Sequence, residues 1–280
     1  MSQPGESNQP DSDKIQPGEI NRVDVCIAMD VTGSMGKYLN ASRDTVSEAF
    51  DTLHTLYPEC EFYLSFVGYR DYGDSERFNV APLTKDIKSV RQYISDVVPE
   101  GGDDTAEDVA GALEQISQLD WKGQVKTVFF VTDAPAHGTD YHPITTGDRY
   151  PRGDPDGRIP TKQMAALASR GIDFTIFRVT PEIDKMIEQF DVAYKHDSAT
   201  GLFTVLDVEK QLHSVRKEYD DEMMDRCCDD MDRCLEYIPS DYSSYENESC
   251  VTLSKEVTTS DIFKSGLIAI ASGSVERRKK

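Results

Sequence analysis

Short continuous apolar runs alternate with amphipathic segments along this chain. The runs Val23–Met29 and Val125–Thr132 have no polar alternation, which is typical of strands buried on both faces of a parallel sheet. Between the runs, apolar residues recur every three or four positions, as they do in helices that cover a sheet. The elements predicted in chain order are strand 23–29, helix 37–57, strands 61–70 and 76–83, helices 87–97 and 106–119, strand 125–132, helix 160–170, strand 172–179, helix 181–190 and strand 202–206.

This alternation predicts an α/β fold with a doubly wound, Rossmann-like, mostly parallel sheet flanked by helices. The strands at 61–70 and 76–83 are separated by only a short turn, so they are predicted to form one antiparallel edge hairpin. Arg70 and Asp71, where that turn begins, are interpreted as a surface ion pair, with an exposed, partner-facing position as the alternative.

The two ends of the chain differ in composition from its middle. Residues 1–20 are rich in Pro, Gly, Ser, Asp and Gln and are predicted to form a disordered tail. Residues 21–210 contain the predicted sheet and its helices. Residues 211–280 are predicted to add an acidic amphipathic helix, followed by a C-terminal tail or a small extension.

Composition narrows the classes of ligand. The chain has 30 Lys and Arg against 51 Asp and Glu, which gives a formal net charge of −21. That balance argues against nucleic acid and anionic lipid as ligands, because both require a cationic face. No apolar run is long enough to span a membrane, and the cysteines are few, so a cytoplasmic protein is the expectation.

Three acidic segments follow predicted strands or precede a predicted helix. Asp30 ends the first buried strand and is followed by Thr32 and Ser34, whereas Asp133 ends the strand at 125–132. The acidic loop 101–104 leads into a helix at the same expected edge of the sheet, where ligands of open α/β sheets bind. Carboxylate and hydroxyl oxygens are hard ligands, which favour Mg²⁺, with Mn²⁺ or Ca²⁺ as alternatives.

Each of these residues has a simpler structural explanation. Asp30, Asp104 and Thr105 could serve as helix N-caps, but capping does not explain three such segments in this order. His137 and His142 are interpreted as loop residues hydrogen-bonded to the backbone; the alternative is that they are transition-metal ligands, although no cysteine lies nearby.

At these positions the sequence resembles the von Willebrand factor A (vWA) family. The metal-ion-dependent adhesion site of that family has the pattern Asp-x-Ser-x-Ser, then a distant Thr or Asp, then an Asp after the fourth strand. Asp30, Thr32 and Ser34 match the first element here, and Asp133 matches the third. The resemblance places the middle ligand at Asp104, with Asp103 and Thr105 as alternatives.

The resemblance is closest to the vWA domains of atypical alpha-kinases and covers about residues 22–206. It rests on the runs DVTGSM (30–35), FVGYRDY (66–72), GGDDTAEDVAGAL (101–113), DWK (120–122) and TDAPAHG (132–138). It implies a vWA fold and a protein-interaction module, in which a partner's Asp or Glu completes the coordination of the metal.

These residues are compatible with two functions. The first is a non-enzymatic, divalent-metal-dependent protein-interaction module of an intracellular protein related to alpha-kinase regulatory regions. No kinase catalytic domain is expected, because too few residues follow 206 and no glycine-rich phosphate loop is present. The alternative is a Mg²⁺-dependent hydrolase, similar to phosphatases of the haloacid dehalogenase type, with Asp30 as its nucleophile. Thr32 stands where those enzymes have a second acid.

Overall fold

Six strands form a single sheet in the computed structural model, which describes residues 20–197, 200–208 and 258–279. Their order across the sheet is β3-β2-β1-β4-β5-β6, and every neighbouring pair is parallel except β2 with β3. The predicted mostly parallel sheet with one antiparallel edge hairpin is confirmed. The strands are β1 Arg22–Asp30, β2 Glu61–Tyr69, β3 Phe78–Thr84, β4 Val125–Thr132, β5 Asp173–Arg178 and β6 Phe203–Asp207.

Helices cover both faces of the sheet, and short 3-10 turns occur at Gly33–Met35 and Pro181–Ile183. The helices are α1 Gly36–Leu56, α2 Ile87–Asp96, α3 Val109–Gln118, α4 Pro160–Ser169, α5 Asp184–Asp197 and α6 Thr259–Lys279.

Helices α3 and α5 differ most from the sequence prediction. Helix α3 begins at Val109 rather than at 106, because Asp108 caps it by accepting a hydrogen bond from the Gly111 N–H. Helix α5 continues beyond Phe190 to Asp197, because Tyr194 extends its buried stripe by one further turn.

The sheet separates two apolar layers. Val25, Ile27 and Met29 of β1 face the layer beneath α1, α2 and α6, whereas Cys26 and Ala28 face the layer beneath α3, α4 and α5. Both faces of β1 are therefore dry, which explains why the strand reads as a continuous apolar run.

Helix α6 belongs to this core, although the sequence left residues 239–280 open between a tail and a small extension. It packs against α1 and β4, and the fully buried ring of Phe263 lies 5.1 Å from that of Phe129, centroid to centroid. Near its end, Arg277 and Arg278 donate to the buried carboxylate of Asp173 on β5. The predicted acidic helix at 211–238 lies outside the described residues, and the domain boundaries at 20 and 210 stay predictions.

Two further properties bear on the setting of the protein. Within the described residues, no helix combines the length and apolarity that a membrane crossing requires. Cys26 and Cys60, both in the described part of the chain, are buried free thiols.

Candidate functional site

The carboxyl ends of β1 and β4 meet at one edge of the sheet, because the two strands are parallel neighbours. Asp30 is the last residue of β1, and Asp133 directly follows β4. A pocket of about 250 Å³ opens at this edge and includes four of the five predicted ligands. The fifth, Asp30, is fully buried next to Thr32 and Asp133. The pocket is lined by Thr32, Ser34, Gly101, Gly102, Asp104, Thr105, Glu107, Asp133 and Ala134.

Asp30 organises the turn that follows it. Its Oδ1 accepts hydrogen bonds from the backbone N–H of Thr32 at 2.8 Å and from the Thr32 hydroxyl at 2.7 Å. The Thr32 hydroxyl in turn lies 3.4 Å from the Ser34 hydroxyl. The carboxylate thus holds the Thr32 hydroxyl at the pocket and does not cap α1, which starts only at Gly36.

The other oxygen of Asp30 is buried without compensation. Oδ2 is inaccessible to solvent and has no hydrogen-bond partner among the described residues. Burial, together with the charge of the adjacent Asp133 carboxylate, raises the pKa of Asp30 to about 7. A buried carboxylate facing a second carboxylate is costly unless a cation or a proton joins them.

The three candidate ligands of the acidic loop, Asp103, Asp104 and Thr105, differ in their position relative to the pocket. Asp103 points away from the pocket, with 72% of its side chain exposed, and pairs with Arg149 at 2.9 Å. Asp104 and Thr105 both line the pocket. Oδ2 of Asp104 accepts from the Arg149 N–H at 2.7 Å, whereas its Oδ1 is buried and has no partner in the described part of the chain.

Two glycines bring this loop close to the pocket. Gly101 and Gly102 have φ angles of +90° and +93°, which L side chains rarely adopt. A Cβ on Gly101 would also lie 2.3 Å from a carboxylate oxygen of Asp74. The approach of the acidic loop to the hairpin therefore depends on glycine at position 101.

Glu107 is a pocket residue that the sequence analysis missed. Its side chain lines the pocket although the residue is only 2% exposed, and its Oε2 has no partner within the described residues. Burial, reinforced by the charges of Asp30 and Asp71, raises the pKa of Glu107 to about 10. Its backbone N–H donates to the Pro135 carbonyl at 2.9 Å, which holds it against the loop after β4 and outside α3. No pattern of local spacing signals that placement.

The interpretation of Arg70 and Asp71 as a surface ion pair is wrong. Arg70 is 1% exposed, and its guanidinium donates to the carbonyls of Val98 and Glu100, so it ties the hairpin to the acidic loop. Asp71 is 2% exposed, and its Oδ1 lies 2.6 Å from Nε2 of His137.

The interpretation of the two loop histidines holds only in part. His142 Nδ1 faces the Pro143 carbonyl at 2.8 Å, as expected. His137 is different, because both of its ring nitrogens face carboxylates: Asp71 on one side, and Asp148 at 2.8 Å on the other. Burial opposes its protonation, but the two flanking carboxylates outweigh that cost and raise the pKa of His137.

Comparisons with known proteins find a matching family model and a curated relative. Residues 24–144 match the family model described as the von Willebrand factor A domain. The chain is 27% identical over 179 residues to "Alpha-protein kinase vwkA" of Dictyostelium discoideum. That alignment covers 63% of this chain but only 28% of the kinase.

Similar solved structures include a pilus adhesin, SpaC from Lactobacillus rhamnosus GG, at 14% identity and a TM-score of 0.47. It is matched over 72% of this chain and 30% of its own length. The vWF domain of the pilus tip protein Mfa5 from Porphyromonas gingivalis has 12% identity and a TM-score of 0.42, covering 68% of this chain and 90% of that domain. The SpRpn10 VWA domain has 15% identity and a TM-score of 0.40, covering 66% and 88%.

The family match spans β1 to the loop after β4, which are the elements that build the pocket. Together with the similarity to the alpha-kinase relative, it shows what this part of the chain is similar to: residues 24–144 match a von Willebrand factor A domain.

Proposed function

We propose that this vWA domain binds a protein partner through a divalent cation, with Asp30, Thr32, Ser34, Asp104 and Asp133 as the residues that hold Mg²⁺. The observation that supports this most directly is the buried, unpartnered Oδ2 of Asp30 next to the Asp133 carboxylate. No lysine or arginine is among the described residues that line the pocket, so no side chain there offsets these charges.

The donor set fits a hard cation. It combines carboxylate and hydroxyl oxygens, which Mg²⁺ prefers, and Mn²⁺ or Ca²⁺ would find the same ligand types. When bound, the cation supplies a concentrated positive charge that attracts an outside carboxylate. Asp30 keeps the Thr32 hydroxyl directed by a 2.7 Å hydrogen bond, and the glycines at 101 and 102 keep Asp104 at the pocket.

The proposed partner is a protein that presents an Asp or Glu to this pocket. A chain with a net charge of −21 repels acidic surfaces at long range, so a cation at the contact is what allows a carboxylate to approach. The same charge disfavours nucleic acid. The similarity to an alpha-protein kinase supports a role related to kinase regulation, and we retain an intracellular, cytoplasmic setting as part of the proposal.

The geometry favours binding over hydrolysis at Asp30. A nucleophilic carboxylate must reach the substrate, yet Asp30 is fully buried and its Oδ1 is occupied by two hydrogen bonds from Thr32. We therefore propose that the domain is not an enzyme.

Calorimetric titration with Mg²⁺ of the wild-type chain and of Ser34→Ala tests the cation site. Ser34 is exposed, so its removal should weaken Mg²⁺ binding by at least about tenfold, roughly 1.4 kcal/mol, without altering the fold. Ser95→Ala, on the exposed face of α2, is the matched control and should bind like wild type. Equal Mg²⁺ affinity in both variants would contradict the proposed site.

A second comparison addresses the partner and the position of the middle ligand. When the wild-type chain is immobilised in the presence of Mg²⁺, it should retain partner proteins. The same proteins should not be retained in the presence of a chelator, nor by immobilised Ser34→Ala. Thr105→Ala should leave Mg²⁺ affinity unchanged if Asp104 is the middle ligand, and should reduce it if Thr105 is.

A further inference from the structure

A second group of metal-ligating side chains lies behind the pocket, centred on His137. Nε2 of His137 is 2.6 Å from Oδ1 of Asp71. The carboxyl groups of Asp71 and Asp104 are within hydrogen-bonding range of each other. Asp104, His137 and Asp148 each offer a ligand atom within 4.8 Å of the others. One imidazole and three carboxylates therefore converge, contributed by the hairpin turn, the acidic loop and the loop after β4.

Two oxygens of this group are buried and unsatisfied. Oδ2 of Asp71 and Oδ1 of Asp104 have no hydrogen-bond partner among the described residues, and Asp71 is only 2% exposed. Oε2 of Glu107 is a third such oxygen, and Glu107 lines the same pocket as Asp104. Buried unpaired carboxylate oxygens of this kind are satisfied in proteins by a proton or by a metal ion.

Asp148 plays a different part, because all of its acceptor positions are filled. Oδ1 lies 2.8 Å from His137 Nδ1 and accepts from the Tyr150 N–H at 2.7 Å. Oδ2 accepts from the Gly138 N–H and lies near His142 Nε2, both at 2.8 Å. Asp148 therefore fixes the ring of His137 with its Nδ1–H donating, so that Nε2 points towards Asp71. A carboxylate behind a histidine is the arrangement that orients histidine ligands of metals.

We propose that Asp71, Asp104 and His137 Nε2 form a second cation site, which binds a divalent transition-metal ion of the Zn²⁺ class. A nitrogen ligand beside two carboxylates suits such an ion better than Mg²⁺, which prefers oxygen alone. Binding replaces the proton on Nε2 and releases it to solvent. The site shares Asp104 with the proposed Mg²⁺ site but includes none of Asp30, Thr32 and Ser34. A substitution at Ser34 or at His137 therefore removes a ligand of one site only.

Calorimetric titration with ZnCl₂, in saturating Mg²⁺ and after alkylation of the accessible thiols, tests this site. The wild-type chain and Ser34→Ala should each bind one Zn²⁺ ion tightly, whereas His137→Ala should bind it at least about tenfold more weakly. His196→Ala is the matched control, because its side chain is 84% exposed and lies outside the cluster, and it should bind like wild type.

A measurement on the wild-type chain keeps the test independent of the folding of His137→Ala. In ¹⁵N NMR spectra of the imidazoles, Zn²⁺ should shift the Nε2 resonance of His137 and leave its Nδ1 protonated. An unshifted His137 resonance, or tight Zn²⁺ binding retained by a folded His137→Ala, would overturn the proposal. Loss of Mg²⁺ binding in Ser34→Ala with Zn²⁺ binding intact would show that the two sites are separate.

Discussion

Replacing Asp30 by Asn should stabilise the metal-free domain while abolishing its response to Mg²⁺. Asparagine keeps the shape of the side chain, and its Oδ1 can still accept the two hydrogen bonds from Thr32. Its amide N–H₂ can donate to the carboxylate of Asp133, where wild type places two carboxyl groups side by side. The substitution thus removes a buried charge that only a cation or a proton offsets.

The size and the pH dependence of the effect follow from the pKa of Asp30. Its rise from 3.8 to about 7 is roughly three pKa units, which corresponds to about 4 kcal/mol between the two protonation states. Between these two values the folded chain binds a proton that the unfolded chain does not, so metal-free stability falls as pH rises through this interval. The stability that protonation of Asp30 contributes is lost above about pH 7. There the free energy of unfolding of Asp30→Asn should exceed that of wild type by up to about 4 kcal/mol.

Urea unfolding in a chelator, at about pH 5 and about pH 8, measures this difference. The stability of Asp30→Asn relative to wild type should be greatest at the higher pH. Adding Mg²⁺ should stabilise wild type but not the variant. Asp120→Asn is the control, since that carboxylate is 76% exposed and its removal should leave the unfolding curve unchanged. The reasoning fails if metal-free Asp30→Asn is no more stable than wild type at the higher pH, or if it retains the response to Mg²⁺.

Three other outcomes can be checked by unfolding experiments. Phe263→Ala should lower the free energy of unfolding by about 3–5 kcal/mol, because its ring is fully buried against Phe129. Ile144→Ala is the control and should have little effect, because that side chain is 87% exposed. Equal urea midpoints for the two variants would mean that α6 does not pack on the core. Asp173→Asn should lower the free energy of unfolding by about 3 kcal/mol near neutral pH. Burial raises the pKa of Asp173, but the hydrogen bonds from α6, including that of Arg278, outweigh burial and lower this pKa. The stability advantage of wild type should therefore vanish in acid, as pH falls through the lowered pKa. A stability difference that persists in acid would refute the ion-pair explanation. When the free Mg²⁺ concentration is about 100 times the Kd, removing Mg²⁺ should lower the free energy of unfolding of wild type by about 2.7 kcal/mol. A thermal midpoint that does not change on addition of a chelator would argue against the cation site.

Local sequence determined the sheet and the position of the pocket. The runs at 23–29 and 125–132 are mostly apolar because both faces of these strands are dry, and the acids that follow them, Asp30 and Asp133, fall where the strands leave the core. Parallel pairing then brings the two carboxyl ends together, so the pairing of Asp30 with Asp133 could be anticipated without coordinates. The turn after Asp30 is equally local, since Thr32 bonds a carboxylate only two residues away.

Tertiary structure decided the features that join distant segments. Helix α6 has an apolar stripe interrupted by Gly and Ser, and only its packing against α1 and β4 shows that it belongs to the core. Asp71 and His137 stand in a predicted turn and a predicted loop, and Glu107 stands at the start of a predicted helix, yet all three are almost fully buried. Whether a polar residue is buried depends on which other segments fold over it, and here the loop after β4 and the edge hairpin close over the same acids. That closure is a property of packing between segments far apart in the chain, so no local pattern of the sequence could determine it.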